Sequence, residues 1–268
     1  MFNIGKESFR KTESSFFCLL ISTPFPPRNT QKSFIFAQKQ KPMFGLPTHL
    51  QNTNDAELKQ IMQQVVMLQN GVVASQMAKS GVRGLMNYGV ALPQLRRIAA
   101  EAGTNHNLAR RLCQLNIREA RILASLLFNA NALTDSDLTL IAESITNIDM
   151  AESFAQNIVC KIADTAFFDS LANGSKWQVI AAIHAVGWAV VRKTANAAAL
   201  EEWFTSNLTN IANLGFAETA QPLLATMRTL AEQSPEHLNA MKAAAQNLTN
   251  TKSVFAKTIG LQFIEEFA

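Results

Sequence analysis

The chain has 268 residues, 48% hydrophobic and 16% charged, with 11 Gly, 8 Pro and 3 Cys. That length can bury a substantial core, and a charge density below the usual ~25% argues against wholesale disorder. Sparse Gly excludes a collagen-like chain, an odd and scattered cysteine set excludes a disulfide scaffold, and no apolar run reaches the ~18 residues of a membrane span. The formal charge is +4 but uneven. Residues 1–42 carry seven basic residues against two acidic ones, a net +5, whereas residues 43–268 hold seventeen against eighteen, a net −1. The basic isoelectric point therefore belongs to the first segment and is no argument for nucleic-acid binding.

Residues 1–42 hold Pro24, Pro26 and Pro27 and show no helical period. They read as a disordered extension. Phe16 to Ile21, after a basic start, resembles a short secretory signal without a clean cleavage site. The other reading makes Met43 the start, with an upstream extension before it. The cysteine usage fits a reducing cytoplasm, so a cytoplasmic location is expected.

From Asn54 onward the pattern is helical. Leu58, Ile61, Met62, Val65, Val66 and Leu68 recur mostly at three- and four-residue spacing, the stripe of an amphipathic helix. Further helices are predicted over Val90–Ala102 (Pro93 near the first turn), Asn107–Leu115 and Arg118–Phe128. Thr134 to Asp137 is a start signal before Leu138, and Thr146 with Asp149 spaces as a capping box before Met150–Ile162. Asn173-Gly174-Ser175 marks a turn. Lys176–Lys193, Ala197–Ile211, Ala217–Glu232, Pro235–Leu248 and Ser253–Phe267 complete the series. No β-branched run with period two appears. Short helix pairs in series predict an all-α, HEAT-like α-solenoid over residues 50–268, with a globular bundle as the alternative.

Tyr88-Gly89-Val90-Ala91-Leu92-Pro93-Gln94-Leu95-Arg96-Arg97-Ile98-Ala99 resembles the opening "Y-G-V-x-x-P-x-L-R-x-[IL]-A" of the DNA alkylation repair family, the AlkD-type alkylpurine DNA glycosylases. Glu119-Ala120-Arg121-Ile122-Leu123-Ala124 is similar to its "E-x-[RK]-x-L-A" helix. Ile145-Thr146-Asn147-Ile148-Asp149-Met150-Ala151-Glu152 falls where the family has "I-x-N-W-D-L-V-D", and Lys176-Trp177 where a tryptophan opens a helix that continues with arginines. Order and approximate spacing hold over about residues 85–192. The resemblance implies a HEAT-like solenoid with a concave DNA-binding groove.

Excising a cationic alkylated base breaks an N-glycosidic bond through an oxocarbenium-like state, which a carboxylate near the sugar stabilises. By the resemblance, the catalytic carboxylate is Glu152. It replaces an aspartate and so displaces the charge by one methylene, and misplacement near 1 Å can cost about a hundredfold. Ile148 replaces the motif tryptophan, removing a π face for a cationic base. Gln178, Val179 and Ile180 replace the arginines. These three departures argue against ordinary glycosylase activity.

The basic residues of Arg83 to Arg121 are all arginine: Arg83, Arg96, Arg97, Arg110, Arg111, Arg118 and Arg121. Arginine forks suit phosphates. With Lys176 and Trp177 they are the candidate DNA contacts, provided neighbouring helices aim them at one groove. Otherwise they form a solvated face with pairs such as Arg97–Glu101. His49, His106, His184 and His237 lack metal-ligand spacing, so no metal and no cofactor is expected. His184 reads as a hydrogen-bonded core histidine, and Cys113 and Cys160 as small core groups. The expected function is a DNA alkylation repair-like protein that binds duplex DNA, with base excision weakened or lost. The alternative is a non-catalytic HEAT-like scaffold for a protein or RNA partner. A membrane partner is not expected.

Overall fold

The computed structural model describes residues 45–80 and 84–268. The extension, Met43, Cys18 and Arg83 lie outside the described residues. Fourteen α-helices run through the described residues, with three short 3₁₀ turns and no strand. They are α1 (Thr48–Gln51), α2 (Ala56–Met67), α3 (Gly71–Lys79), α4 (Leu92–Ala102), α5 (His106–Cys113), α6 (Arg118–Leu127), α7 (Asp135–Ser144), α8 (Ile148–Asn157), α9 (Thr165–Ala172), α10 (Lys176–Val191), α11 (Ala197–Asn213), α12 (Ala220–Ala231), α13 (Pro235–Thr249) and α14 (Val254–Glu266).

Alternate helices form two layers. In the first, α4, α6, α8, α10, α12 and α14 pack side by side in order. In the second, α5 packs on α7, and α9, α11 and α13 follow one another. α2 covers both α4 and α5 at the first turn of the stack. Helix pairs bury their apolar faces on one another and on the neighbouring pairs, which is the HEAT-like solenoid expected from the pattern. The core is continuous: Leu95, Leu112, Leu123, Phe154, Val186, Phe204, Leu223 and Phe263 are all sealed.

Local chemistry starts most helices. Asn70, Asn105, Asn147, Ser175, Ser234 and Ser253 accept backbone N–H groups one turn ahead. One cap differs from expectation. Asn147, not Thr146, caps α8, because the Thr146 hydroxyl accepts from Arg121 and Asp149 is taken by Arg118. The segment predicted as Met150–Ile162 ends its α-helix at Asn157 and continues as a 3₁₀ turn. Periodicity did not predict α1, α3 and α9. α3 buries no side chain, and the eight residues of α9 are too few turns to display a stripe.

Candidate nucleic-acid interface

The motif around Tyr88 is first of all a structural joint. Gly89 sits at φ +70°, and a Cβ there would lie 2.2 Å from the Asn70 carbonyl oxygen and 2.7 Å from Ala74 N. Only glycine fits. The Glu119 carboxylate, fully buried, accepts the backbone N–H groups of Tyr88 (3.1 Å) and Val90 (3.2 Å). Arg118 is 4% exposed, donates to Glu119 (3.1 Å) and to the Val90 carbonyl (3.1 Å), and forks onto Asp149. A buried cation flanked by two carboxylates locks α6, α8 and the loop before α4 together.

The described arginines do not form one strip. Arg110 and Arg111 lie on α5, in the second layer. Arg110 forks onto Asp137 (Nη2–Oδ2 2.7 Å), and Arg111 reaches Asp55 (2.6 Å) and Glu57 (2.7 Å). Arg118 is consumed by the joint just described. Arg121, half-buried, donates to the carbonyls of Leu115 and Ser144, closing the end of α7. Lys176 pairs with Glu218 and stands 4.6 Å over the ring of Trp177, which is half-buried. Arg96 and Arg97, on α4, have no carboxylate partner among the described residues, and the Arg97–Glu101 pair does not form.

The open face of the first layer is where chemistry-bearing groups collect. On α8, Asp149, Glu152 and Gln156 share one side, while Met150, Ala151, Ser153, Phe154 and Ala155 are buried on the other. Glu152 is exposed and has no hydrogen-bond or ion partner among the described residues. Its carboxyl is nevertheless pushed upward, first by burial and then by the negative charge of Asp149.

α10 beside it is almost wholly enclosed. From Val179 to Val190 every residue is buried except His184. His184 was expected to be hydrogen-bonded in the core. Instead it is half-buried, with no hydrogen-bond partner among the described residues, because the flanking helices α8 and α12 close the sides of α10 and leave its front open. Burial holds its imidazole down at about 4, so it is neutral near pH 7. Val179 and Ile180, at the positions of the family's arginines, are sealed and unavailable to a phosphate.

Arg192, which the sequence reading missed, closes this face. Its Nη1 donates to the Gln156 carbonyl, and its guanidinium lies 4.9 Å over the ring of Trp188. Arg96 crosses from α4 to donate to Gln156 Oε1 (3.0 Å). Arg192 had no signal in sequence, because its contacts are 36 residues distant in the chain. Cys113 and Cys160 are buried and free, and burial pushes the Cys113 thiol up to about 12. Among the described residues no group of His, Cys, Asp and Glu is placed to hold a metal ion, and no helix is long and apolar enough to cross a membrane.

Comparison with known proteins agrees with the helix order. A solved structure described as "a new family of proteins related to the HEAT-like repeat DNA glycosylases with affinity for branched DNA structures" superposes with a TM-score of 0.57 at 17% identity, covering 78% of this chain and 94% of that one. That likeness speaks to the fold. No curated protein matches the chain by sequence. The sequence model of the DNA alkylation repair enzymes matches residues 48–214, from the first residue of α1 to just past the end of α11, and the chain belongs to that family.

Proposed function

We propose that the protein binds DNA through the open face of its first helix layer and that base excision there is weakened or lost. The observation that carries this reading is the company Glu152 keeps: a carboxylate on α8 unpartnered among the described residues, with guanidinium groups on α4 and at the end of α10 that no described carboxylate neutralises. Phosphate contact supplies much of the affinity for DNA, and a free carboxylate near the sugar is what N-glycosidic cleavage needs. Family membership favours DNA as the partner, and the affinity for branched DNA in the description of the superposed structure makes junctions a substrate to compare with duplex. Ile148 in place of an aromatic, and sealed Val179 and Ile180 in place of arginines, support slow or absent turnover.

The test has two parts. Duplex and four-way-junction binding should weaken steeply as salt rises; flat affinity across salt removes the DNA reading and leaves a scaffold for a protein or RNA partner. Release of 3-methyl- or 7-methylpurine from methylated duplex should be slow or undetectable, and any release should fall in Glu152→Gln. Release at an ordinary glycosylase rate, unaffected by that substitution, contradicts the assignment of Glu152.

A further inference from the structure

We infer that Arg96, Gln156 and Arg192 form a phosphate clamp, a two-guanidinium site for one DNA backbone phosphodiester, set one helical turn from Glu152. The inference rests on the DNA-binding reading above and gives it an address. Three elements converge on one glutamine. Arg96 of α4 donates to the side-chain oxygen of Gln156 (3.0 Å), and Arg192, at the end of α10, donates to its backbone carbonyl. Two cations are therefore held within the span of a single residue. Neither has a carboxylate within ion-pair distance among the described residues, a lack they share with Arg97 and Arg121 but not with Arg110, Arg111, Arg118 and Arg228.

The arrangement is costly without a ligand. Arg192 repels Arg96, and Arg96 is already half-buried, so its guanidinium is held below its ordinary value by burial first and by that repulsion second. A purely structural role would be served better by a pair of opposite charges. The two groups are also positioned rather than loose. Gln156 fixes both, and Trp188 provides a flat surface under the Arg192 fork (4.9 Å). A fixed pair of forks matches the two non-bridging oxygens of a phosphodiester, for which arginine is better shaped than lysine.

The spacing gives the site its place in the reaction surface. Glu152 precedes Gln156 by four residues, about 6 Å along the helix axis, which is the scale separating a phosphate from the sugar of its own nucleotide. An alkylated purine nucleotide carries a negative phosphate and a positive base. The face offers two guanidinium groups at one level and an unpaired carboxylate at the next. The same site supplies phosphate anchorage that Gln178, Val179 and Ile180 do not.

The experiment is a salt titration of duplex binding, followed by fluorescence anisotropy, for the full chain. Each lost phosphate contact should make the slope of log K against log salt shallower by about 0.9. Arg96→Ala/Arg192→Ala removes the one phosphate contact and is expected to lose about 0.9 of slope and about tenfold or more in affinity at moderate salt. Arg192→Gln changes an exposed residue at a helix end, so it tests the clamp even if the double variant folds poorly; it should lose affinity several-fold, with at most about 0.9 of slope, since Arg96 still faces the same phosphate. Arg96→Lys/Arg192→Lys should keep the slope while losing affinity through the missing forks. Wild-type affinity in Arg192→Gln, or a wild-type slope in a folded double alanine variant, with wild-type protein still binding DNA, overturns the clamp and leaves the general reading standing. Absence of duplex binding by the wild type overturns both.

Discussion

Glu119 and Tyr88 are joined by a hydrogen bond from the Tyr88 backbone N–H to the buried Glu119 carboxylate (3.1 Å), across 31 residues of chain. The other oxygen of the same carboxylate takes the N–H of Val90 and a donor of Arg118. Two of the sequence motifs that resemble the family are thus two halves of one contact. Glu119→Ala leaves a buried guanidinium short of one carboxylate and two backbone donors with no acceptor. A loss of about 3–5 kcal/mol is expected, measured by urea denaturation, and Glu119→Gln should lose less because one oxygen remains. Loss below about 1 kcal/mol in the alanine variant would show that the joint is not essential.

Gly89 provides the turn that makes this contact reachable. Gly89→Ala places a methyl 2.2 Å from a backbone oxygen at a positive φ, with α3 unable to yield by a side-chain rotation alone. An expected cost of about 2–4 kcal/mol follows from strain and displacement together. Thermal denaturation checks it, and Gly103→Ala is the internal control, since Gly103 also has a positive φ but no atom within 4 Å of the point a Cβ would occupy. Gly89→Ala should be clearly the worse of the two.

Asp137 ties α5 to α7. It is 1% exposed and accepts from Arg110, from the backbone N–H and hydroxyl of Thr134, and faces His106 Nε2 at 3.2 Å. These donors, Arg110 foremost, hold its carboxyl well below the ordinary 3.8. A depressed folded value means the unfolded chain takes the proton first. Stability is therefore full above about pH 4 and is lost as pH falls below it. Asp137→Asn should remove that acid-side dependence and cost about 2–4 kcal/mol at neutral pH. An unchanged acid limb of the stability profile in the variant contradicts the assignment.

His184 gives a dependence in a different window. Its folded-state imidazole protonates near 4 against an ordinary 6.5. The unfolded state binds the proton first between those values, so stability present above about pH 6.5 declines as pH falls toward about 4, by at most about 3 kcal/mol. His184→Leu should flatten the curve over that interval without altering the Asp137 limb below it. NMR titration of the His184 ring provides the direct check: a midpoint near the ordinary 6.5 sinks the claim that burial holds the ring neutral.

Much was legible in the sequence because helices advertise themselves locally. The three- and four-residue apolar spacing, the Asn and Ser caps and the absence of period two are consequences of backbone geometry that need no tertiary information. They determined the all-α stack and most helix positions, and the ordered motifs pointed to the family. The fate of each charge was a different matter. Arg96, Arg110 and Arg118 look alike in the chain, yet one reaches an uncharged glutamine on the open face, one pairs on the second layer, and one is buried in a joint. His184 and Val186 lie on the same apolar helix, and only the packing of α8 and α12 decides which of them meets solvent. Electrostatic roles depend on which groups stand across a gap of a few ångströms, and apart from Glu119 beside Arg118 those neighbours are 27 to 60 residues away along the chain; helical periodicity sets the face a residue occupies, but only the stacking of one helix pair on the next sets what that face confronts.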